Sequence, residues 1–277
     1  MPNQKTDSPT AALRKLRLIG MVHLPPLPGS AGYGVTPRSA ARPLDAMIRH
    51  AIAEATRLAR AGFDALIVEN FGDAPFAASR VPPETIAAMA AVVDHVVRAV
   101  KVPVGVNVLR NDGLGALAVA AVTGAAFIRV NVLSGAYATD QGIITGNANE
   151  LLARRAAVAP HVAIAADVHV KHATPISQPD LALAVEETAT RAGADAIILS
   201  GSGTGKPTDL AALRRVREAA HGLPIWIGSG VTAATVRESL RAADAVIVGT
   251  ALKKGGRTTA PLDRARVAAF IKAAGRT

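Results

Sequence analysis

The chain has 277 residues, half of them hydrophobic and 3% aromatic, with no cysteine and a formal net charge of +10. That composition supports one large apolar core and excludes disulfides, thiolate metal sites and a cysteine nucleophile. Aromatics are too scarce for the base-stacking platforms of a single-strand nucleic-acid binder, and no apolar run reaches the length of a membrane span.

The first predicted strand, LIGMVHL (18–24), runs into HLPPLPGSAGYG (23–34), where three prolines and three glycines predict a shaped loop. A helix is expected over 43–61, with Pro43 in its first turn and Gly62 as its stop. The second strand, 64–69, ends at Glu69 and Asn70, with Asp73 close by. A helix over 83–99 leads to the third strand, PVGVNVL (103–109), which carries Asn107 and exits through Arg110, Asn111 and Asp112. A short Ala-rich helix, 113–122, follows. The fourth strand, 126–131, places Arg129 and Asn131 on one face and exits into a long loop, 133–148, that holds Asp140 and Gln141. The fifth strand, HVAIAADVHV (161–170), continues through Lys171. A helix near 179–191 precedes the sixth strand, which ends in SGSGTG (200–205). The seventh, PIWIGSG (224–230), leads directly into a helix opened by Thr232. The eighth ends at Gly249 and Thr250, and a last helix covers 262–273.

Four of these strands share one entry phrase: AGFDALIVE (61–69), GAAFIRVN (124–131), AGADAIILS (192–200) and AADAVIVGT (242–250). Eight short apolar strands alternating with helices predict a parallel eight-stranded (β/α)8 TIM barrel. An open doubly wound sheet is the alternative fold. The barrel is expected as a single domain over 18–277. The net charge divides as +3 in residues 1–17, +6 in residues 253–277 and +1 between them. Residues 1–17 contain no signal-peptide core and read as a flexible basic tail. The expected location is the cytoplasm, with no nucleic-acid partner. A weak electrostatic contact with an anionic membrane surface and a homo-oligomer are both compatible with the sequence.

In such a barrel the polar residues at the strand ends form the candidate site. Gly228, Ser229 and Gly230, with Gly249 and Thr250, let backbone N–H groups approach a ligand beside a helix start, which suits a phosphate. Alternation places Asp167, His169 and Lys171 on one face if the fifth strand stays extended. Asp167 and His169 then form an acid–base pair, or a divalent metal site for which no third ligand is evident. Lys171 could neutralise an anion or act as a Schiff-base amine. Glu69 is a candidate general acid or base. His23, Asn107, Arg129, Asn131, Asp140 and Ser200 are candidate substrate contacts, and Arg129 needs a bound anion or Glu69 as its partner. Removing Asp167 or Glu69 is expected to leave the fold intact. No cofactor is expected.

The motifs IGMVHLPPLPGS, IVENFGDAPF, PVGVNVLRND, FIRVNVLSGAYATDQGII, ADVHVKHA and GSGVT resemble those of the BtpA family over about residues 18–270. That resemblance implies either a biogenesis factor for a membrane complex such as photosystem I or, given the site residues, an enzyme acting on a small sugar phosphate. A partial likeness to the tryptophan synthase α-subunit concerns Glu69 at the end of the second strand and the glycine turn 228–230. It implies a shared barrel lineage and not a shared substrate.

Overall fold

The computed structural model describes residues 8–34, 44–176, 180–200 and 213–276. Pro43 and residues 201–205 of the Ser/Gly run therefore lie outside the described residues. In chain order the elements are α1 (Pro9–Leu13), β1 (Leu18–His23), α2 (Leu44–Ala61), β2 (Ala65–Glu69), α3 (Pro83–Ala99), β3 (Val104–Asn107), α4 (Gly113–Thr123) and β4 (Phe127–Val130). They continue with β5 (Ala136–Thr139), β6 (Gly142–Thr145), α5 (Ala148–Val158), β7 (Ala163–Val168), β8 (Ala173–Pro175), α6 (Leu181–Thr190) and β9 (Ala196–Leu199). The last are α7 (Leu213–Ala219), β10 (Ile225–Ile227), α8 (Val236–Ala242), β11 (Ala245–Val248) and α9 (Arg264–Ala273). Eight strands close a parallel barrel in the order β1-β11-β10-β9-β7-β4-β3-β2. Barrel strands consecutive in the chain are joined through a helix, and β1 pairs with β11 to close the ring, which is the (β/α)8 TIM barrel the strand pattern predicts.

Alternation settles what fills the barrel. Ile19 and Met21, Ala65 and Ile67, Ala163 and Ala165, Ala196 and Ile198, and Ala245 and Ile247 point inward and pack with Phe127 and Trp226. Phe127 and Trp226 meet edge to face with ring centroids 5.7 Å apart. Phe127 fits because β3 presents Gly105 beside it. A Cβ there would lie 2.3 Å from the ring. Gly105→Ala should therefore cost about 1–3 kcal/mol, the usual range for overpacking a filled core. A lowered midpoint of denaturant unfolding with an unchanged slope is the expected reading.

Residues 8–17 differ from the flexible tail their charge suggests. Ser8 caps α1, accepting the Ala11 N–H at 3.3 Å, and Pro9 stands in its first turn. Leu13 and Leu16 are buried and join the inner barrel cluster. The Arg17 and Leu18 N–H groups both donate to Asp64, at 3.0 and 2.9 Å. The apolar pair closes the end of the barrel opposite the strand C-termini, and burying it outweighs the local charge.

The long loop after β4 is also more ordered than its sequence suggests. β5 and β6 form a hairpin, and β8 adds to β5 in an antiparallel three-stranded sheet. The loop after β1 is pinned to its neighbours. Gly72 N–H donates to the Leu24 carbonyl, Leu27 N–H donates to Asp73 Oδ1 at 2.7 Å, and Thr85 Oγ1 donates to the Pro28 carbonyl at 2.7 Å. Asn70 ties this corner to β3, donating to Asp73 Oδ2 at 2.8 Å and accepting the Leu109 N–H at 2.7 Å. Asn70 and Asp73 thus brace loops, and burial raises the Asp73 carboxyl pKa.

Two basic residues counted in the C-terminal charge excess are not free. Lys253 is buried and donates to both Glu54 oxygens, at 2.8 and 2.6 Å. Arg276 makes a two-pronged pair with Asp64, at 2.6 and 2.7 Å. The charge available to an anionic surface is correspondingly smaller. Among the described residues no helix is long and apolar enough to cross a membrane.

Candidate active site

The barrel strands bring one polar layer to their C-terminal ends. Register aligns His23 with Glu69, Glu69 with Asn107, and Asn107 with Arg129. Because β4 pairs with β7 through Arg129 and Ala165, Asp167 stands one inward step further along. Arg129 donates to it from Nε at 2.8 Å and from Nη2 at 2.9 Å, a bidentate pair with both side chains buried. Ser200 Oγ donates to Asp167 Oδ1 at 2.9 Å, and Asn131 Nδ2 donates to Oδ2 at 3.3 Å. Asn107 Nδ2 donates to the Arg129 carbonyl at 3.1 Å and to Asn131 Oδ1 at 3.2 Å. This network is a brace that fixes one cation under the mouth.

Above the brace lies a cavity of about 550 Å³. His23, Glu69, Arg129 and Lys171 line it. The turns Gly228–Ala234 and Gly249–Ala251, with Thr258 and Arg266, line it as well. Of the residues singled out in the sequence, Gly228, Ser229, Gly230, Gly249 and Thr250 all face this cavity. Asp167, His169, Asn107, Asn131, Asp140 and Ser200 do not line it.

Each difference has a local cause. β7 ends at Val168, and His169 takes a left-handed φ of 49°, so the chain turns out of the alternation that would align it with Asp167. Its ring packs instead against Tyr137, with centroids 6.4 Å apart. Asp167 is spent on Arg129, so it positions that cation and does not converge with Glu69 and His169 as an acid. Among the described residues no group of three acidic or histidine side chains is placed to hold a metal. Asp140 sits exposed at the turn between β5 and β6. Ser200 and Asn131 serve the brace.

The glycine turns also differ in detail from the sequence reading. α8 opens at Val236 and not at Thr232, so turn backbone, rather than a helix start, faces the cavity. Gly228 and Gly249 are required by close approach. A Cβ on Gly228 would lie 2.6 Å from Ile198 and 2.8 Å from Ser200 Oγ, and one on Gly249 would lie 2.6 Å from the His23 ring. Phe71, Thr258 and Arg266 were not legible as site residues. Phe71 meets the His23 ring at 5.1 Å. Thr258 shares a 2.9 Å hydrogen bond with Thr250. Thr258 lies in the irregular segment between β11 and α9, and Arg266 in the first turn of α9, where no strand-end pattern marks them.

Electrostatics separate the roles. Burial raises the Glu69 pKa, and Arg129 and Lys171 only partly oppose it. Burial, then Lys253, Lys171 and Arg129, hold the His23 pKa well below the usual imidazole range, so the ring is neutral. Its Nε2 lies 3.7 Å from Glu69 Oε1, and its buried Nδ1 makes no hydrogen bond. Burial and then Arg129 lower the Lys171 pKa. The cavity therefore joins a carboxyl of raised pKa, an imidazole, a guanidinium and an amine of lowered pKa. Turn backbone, hydroxyls and Arg266 also line it, a setting suited to an anion.

The family model described as "BtpA family" matches residues 14–276. The chain is 50% identical over 256 residues to the photosystem I biogenesis protein BtpA of Synechocystis sp., covering 92% of this chain and 87% of that one. Among solved structures it is similar to tryptophan synthase from M. tuberculosis, with a TM-score of 0.60 at 17% identity over 98% of this chain and 100% of the other. It is also similar to phosphoribosyl anthranilate isomerase from Thermus thermophilus, with a TM-score of 0.53 at 12% identity over 94% and 98%. At these identities the structural likeness speaks for the barrel alone.

Proposed function

The chain belongs to the BtpA family, and from that premise we propose that it is an enzyme acting on a small phosphorylated compound, by acid–base chemistry of the isomerase, epimerase or aldolase kind. One observation carries the reading. A single cavity joins Glu69, whose carboxyl pKa burial raises, to the turns at Gly228–Gly230 and Gly249–Thr250. The phosphate would lie on those two turns, where TIM barrels commonly hold one, with Arg266 as its cationic neighbour. Glu69 would move the proton at the reacting carbon, and Arg129, held rigid by Asp167, would stabilise the developing oxyanion. The reading needs no cofactor. The name of the Synechocystis relative supplies the alternative, a non-catalytic role in membrane-complex biogenesis. A scaffold has no need of a polar cavity with a desolvated carboxyl, which weighs for the enzyme.

Thermal shift against phosphorylated sugars, with inorganic phosphate as the simplest probe, tests this. A ligand at about 100 times its Kd should stabilise the fold by about 2.7 kcal/mol. Arg266→Ala should weaken phosphate binding on the order of tenfold, as expected for losing one charge-assisted contact. Exposed Arg266 should leave the melting temperature of the free protein unchanged. Phosphate binding that is indifferent to this change and to Thr250→Val places the anion elsewhere.

A further inference from the structure

We propose that Lys171 is a nucleophilic amine, whose Nζ adds to the carbonyl carbon of an aldehyde or ketone phosphate held in the cavity and forms an imine with it. The proposal rests on the phosphorylated-substrate reading above and extends it to a bond. The amine lone pair makes the C–N bond. The carbonyl oxygen takes one proton from the amine nitrogen and one from Glu69 in its protonated form, leaves as water, and the carbon ends as a protonated imine. No oxidant or reductant is needed. The iminium then accepts the electron pair released when a C–H or C–C bond on the adjacent carbon breaks, and Glu69, which lines the same cavity, takes the proton.

The placement of Lys171 supports this chemistry. It lies three residues beyond the end of β7, yet its backbone is held firmly. Arg110 Nη2 donates to its carbonyl at 2.5 Å. β8 begins two residues later, and Ala173, Thr174 and Pro175 pair with Thr139, Ala138 and Tyr137. His169 and His172, at φ of 49° and 58°, turn the chain on either side. The three-stranded sheet thus presents the Lys171 side chain to the cavity beside Glu69 and Arg129.

The second observation is what Lys171 lacks. Among the described residues no carboxylate lies within ion-pair distance of its ammonium, although the side chain lines a desolvated mouth. Lys253 shows the contrast: a lysine buried as a cation, gripped by both oxygens of Glu54. Around Lys171, burial and then Arg129 lower the amine pKa, Glu69 and Asp167 only partly oppose this, and Arg110 adds to the lowering. A lysine without a carboxylate at ion-pair distance, lining one cavity with a buried carboxyl, is the equipment for imine formation, whereas a pure anion clamp gains nothing from a lowered pKa.

The test is reductive trapping. The full chain is incubated with dihydroxyacetone phosphate, glyceraldehyde 3-phosphate or unphosphorylated dihydroxyacetone, with and without borohydride, and mapped by peptide mass. A borohydride-dependent adduct at Lys171, formed in preference to the other lysines, is expected. Lys171→Met and Lys171→Arg should both lose it, the second keeping the charge; circular dichroism verifies that each is folded. Adducts spread over surface lysines, or none at Lys171, overturn the proposal and leave Lys171 as an anion contact. Melting with inorganic phosphate is read in parallel. A phosphate shift without a Lys171 adduct keeps the phosphate reading and removes the imine. Trapping by unphosphorylated carbonyl with no phosphate shift does the reverse.

Discussion

Asp167→Asn should destabilise the protein by about 3–5 kcal/mol, the usual cost of stripping one member from a buried ion pair. Arg129 is buried and has Asp167 as its two-pronged partner. Asparagine retains the shape but leaves the guanidinium charge uncompensated in a low-dielectric interior. Ser200 and Asn131 also lose a charged acceptor. Urea unfolding is the measurement. A double change to apolar residues of similar volume, Arg129→Met with Asp167→Leu, should recover most of the loss, because it removes both desolvation penalties together. This reverses the sequence-based expectation that removing the Asp167 carboxylate leaves the fold intact. Wild-type stability in Asp167→Asn would mean that Arg129 has turned to Glu69, and the brace would then be plastic.

Glu69→Gln should act in the opposite way. On a substrate found by the ligand screen, turnover should fall by about 10²–10⁴, the usual contribution of a general acid–base group. Stability near neutral pH should hold or rise. Burial raises the folded-state pKa of Glu69 above its unfolded value, so the folded state binds this proton more tightly than the unfolded chain does. The stability that this gives is fully present below the unfolded carboxylate range and is lost as pH rises through the raised folded value. Glutamine carries no such loss. The pH dependence of the midpoint should therefore flatten in Glu69→Gln over that window. His23 works with the reverse sign: its depressed pKa means that acidification through the ordinary imidazole range costs stability. A Glu69→Gln variant that unfolds readily would make the carboxyl structural and strengthen the biogenesis reading.

Much of the barrel follows from local pattern. Period-two alternation in the strands decides which side chains face inward, so Glu69, Asn107, Arg129 and Asp167 could be placed on the inner face before any pairing was known. The strand ends likewise marked Gly228–Gly230 and Gly249–Thr250, which line the cavity. The limit of this reasoning appears where strands stop. Nothing in ADVHVKHA says that β7 ends at Val168, and that one boundary sends His169 to Tyr137 and leaves Lys171 for the cavity.

Which groups pair with each other was decided by tertiary structure. Arg129 could have met an anion, Glu69 or Asp167. Closing the barrel placed β4 against β7 in a register that sets Asp167 one inward step beyond it, although β5, β6 and α5 intervene in sequence. The same holds for Lys253 and Glu54, and for Leu13 and Leu16, which read as tail until the open end of the barrel required an apolar closure. Thr258 and Arg266 reach the cavity only because the segment after β11 folds back across it. Facing is a local property of the backbone and is written in periodicity. Partner choice depends on long-range closure, where the desolvation cost of each buried charge is met by whichever group the fold brings near.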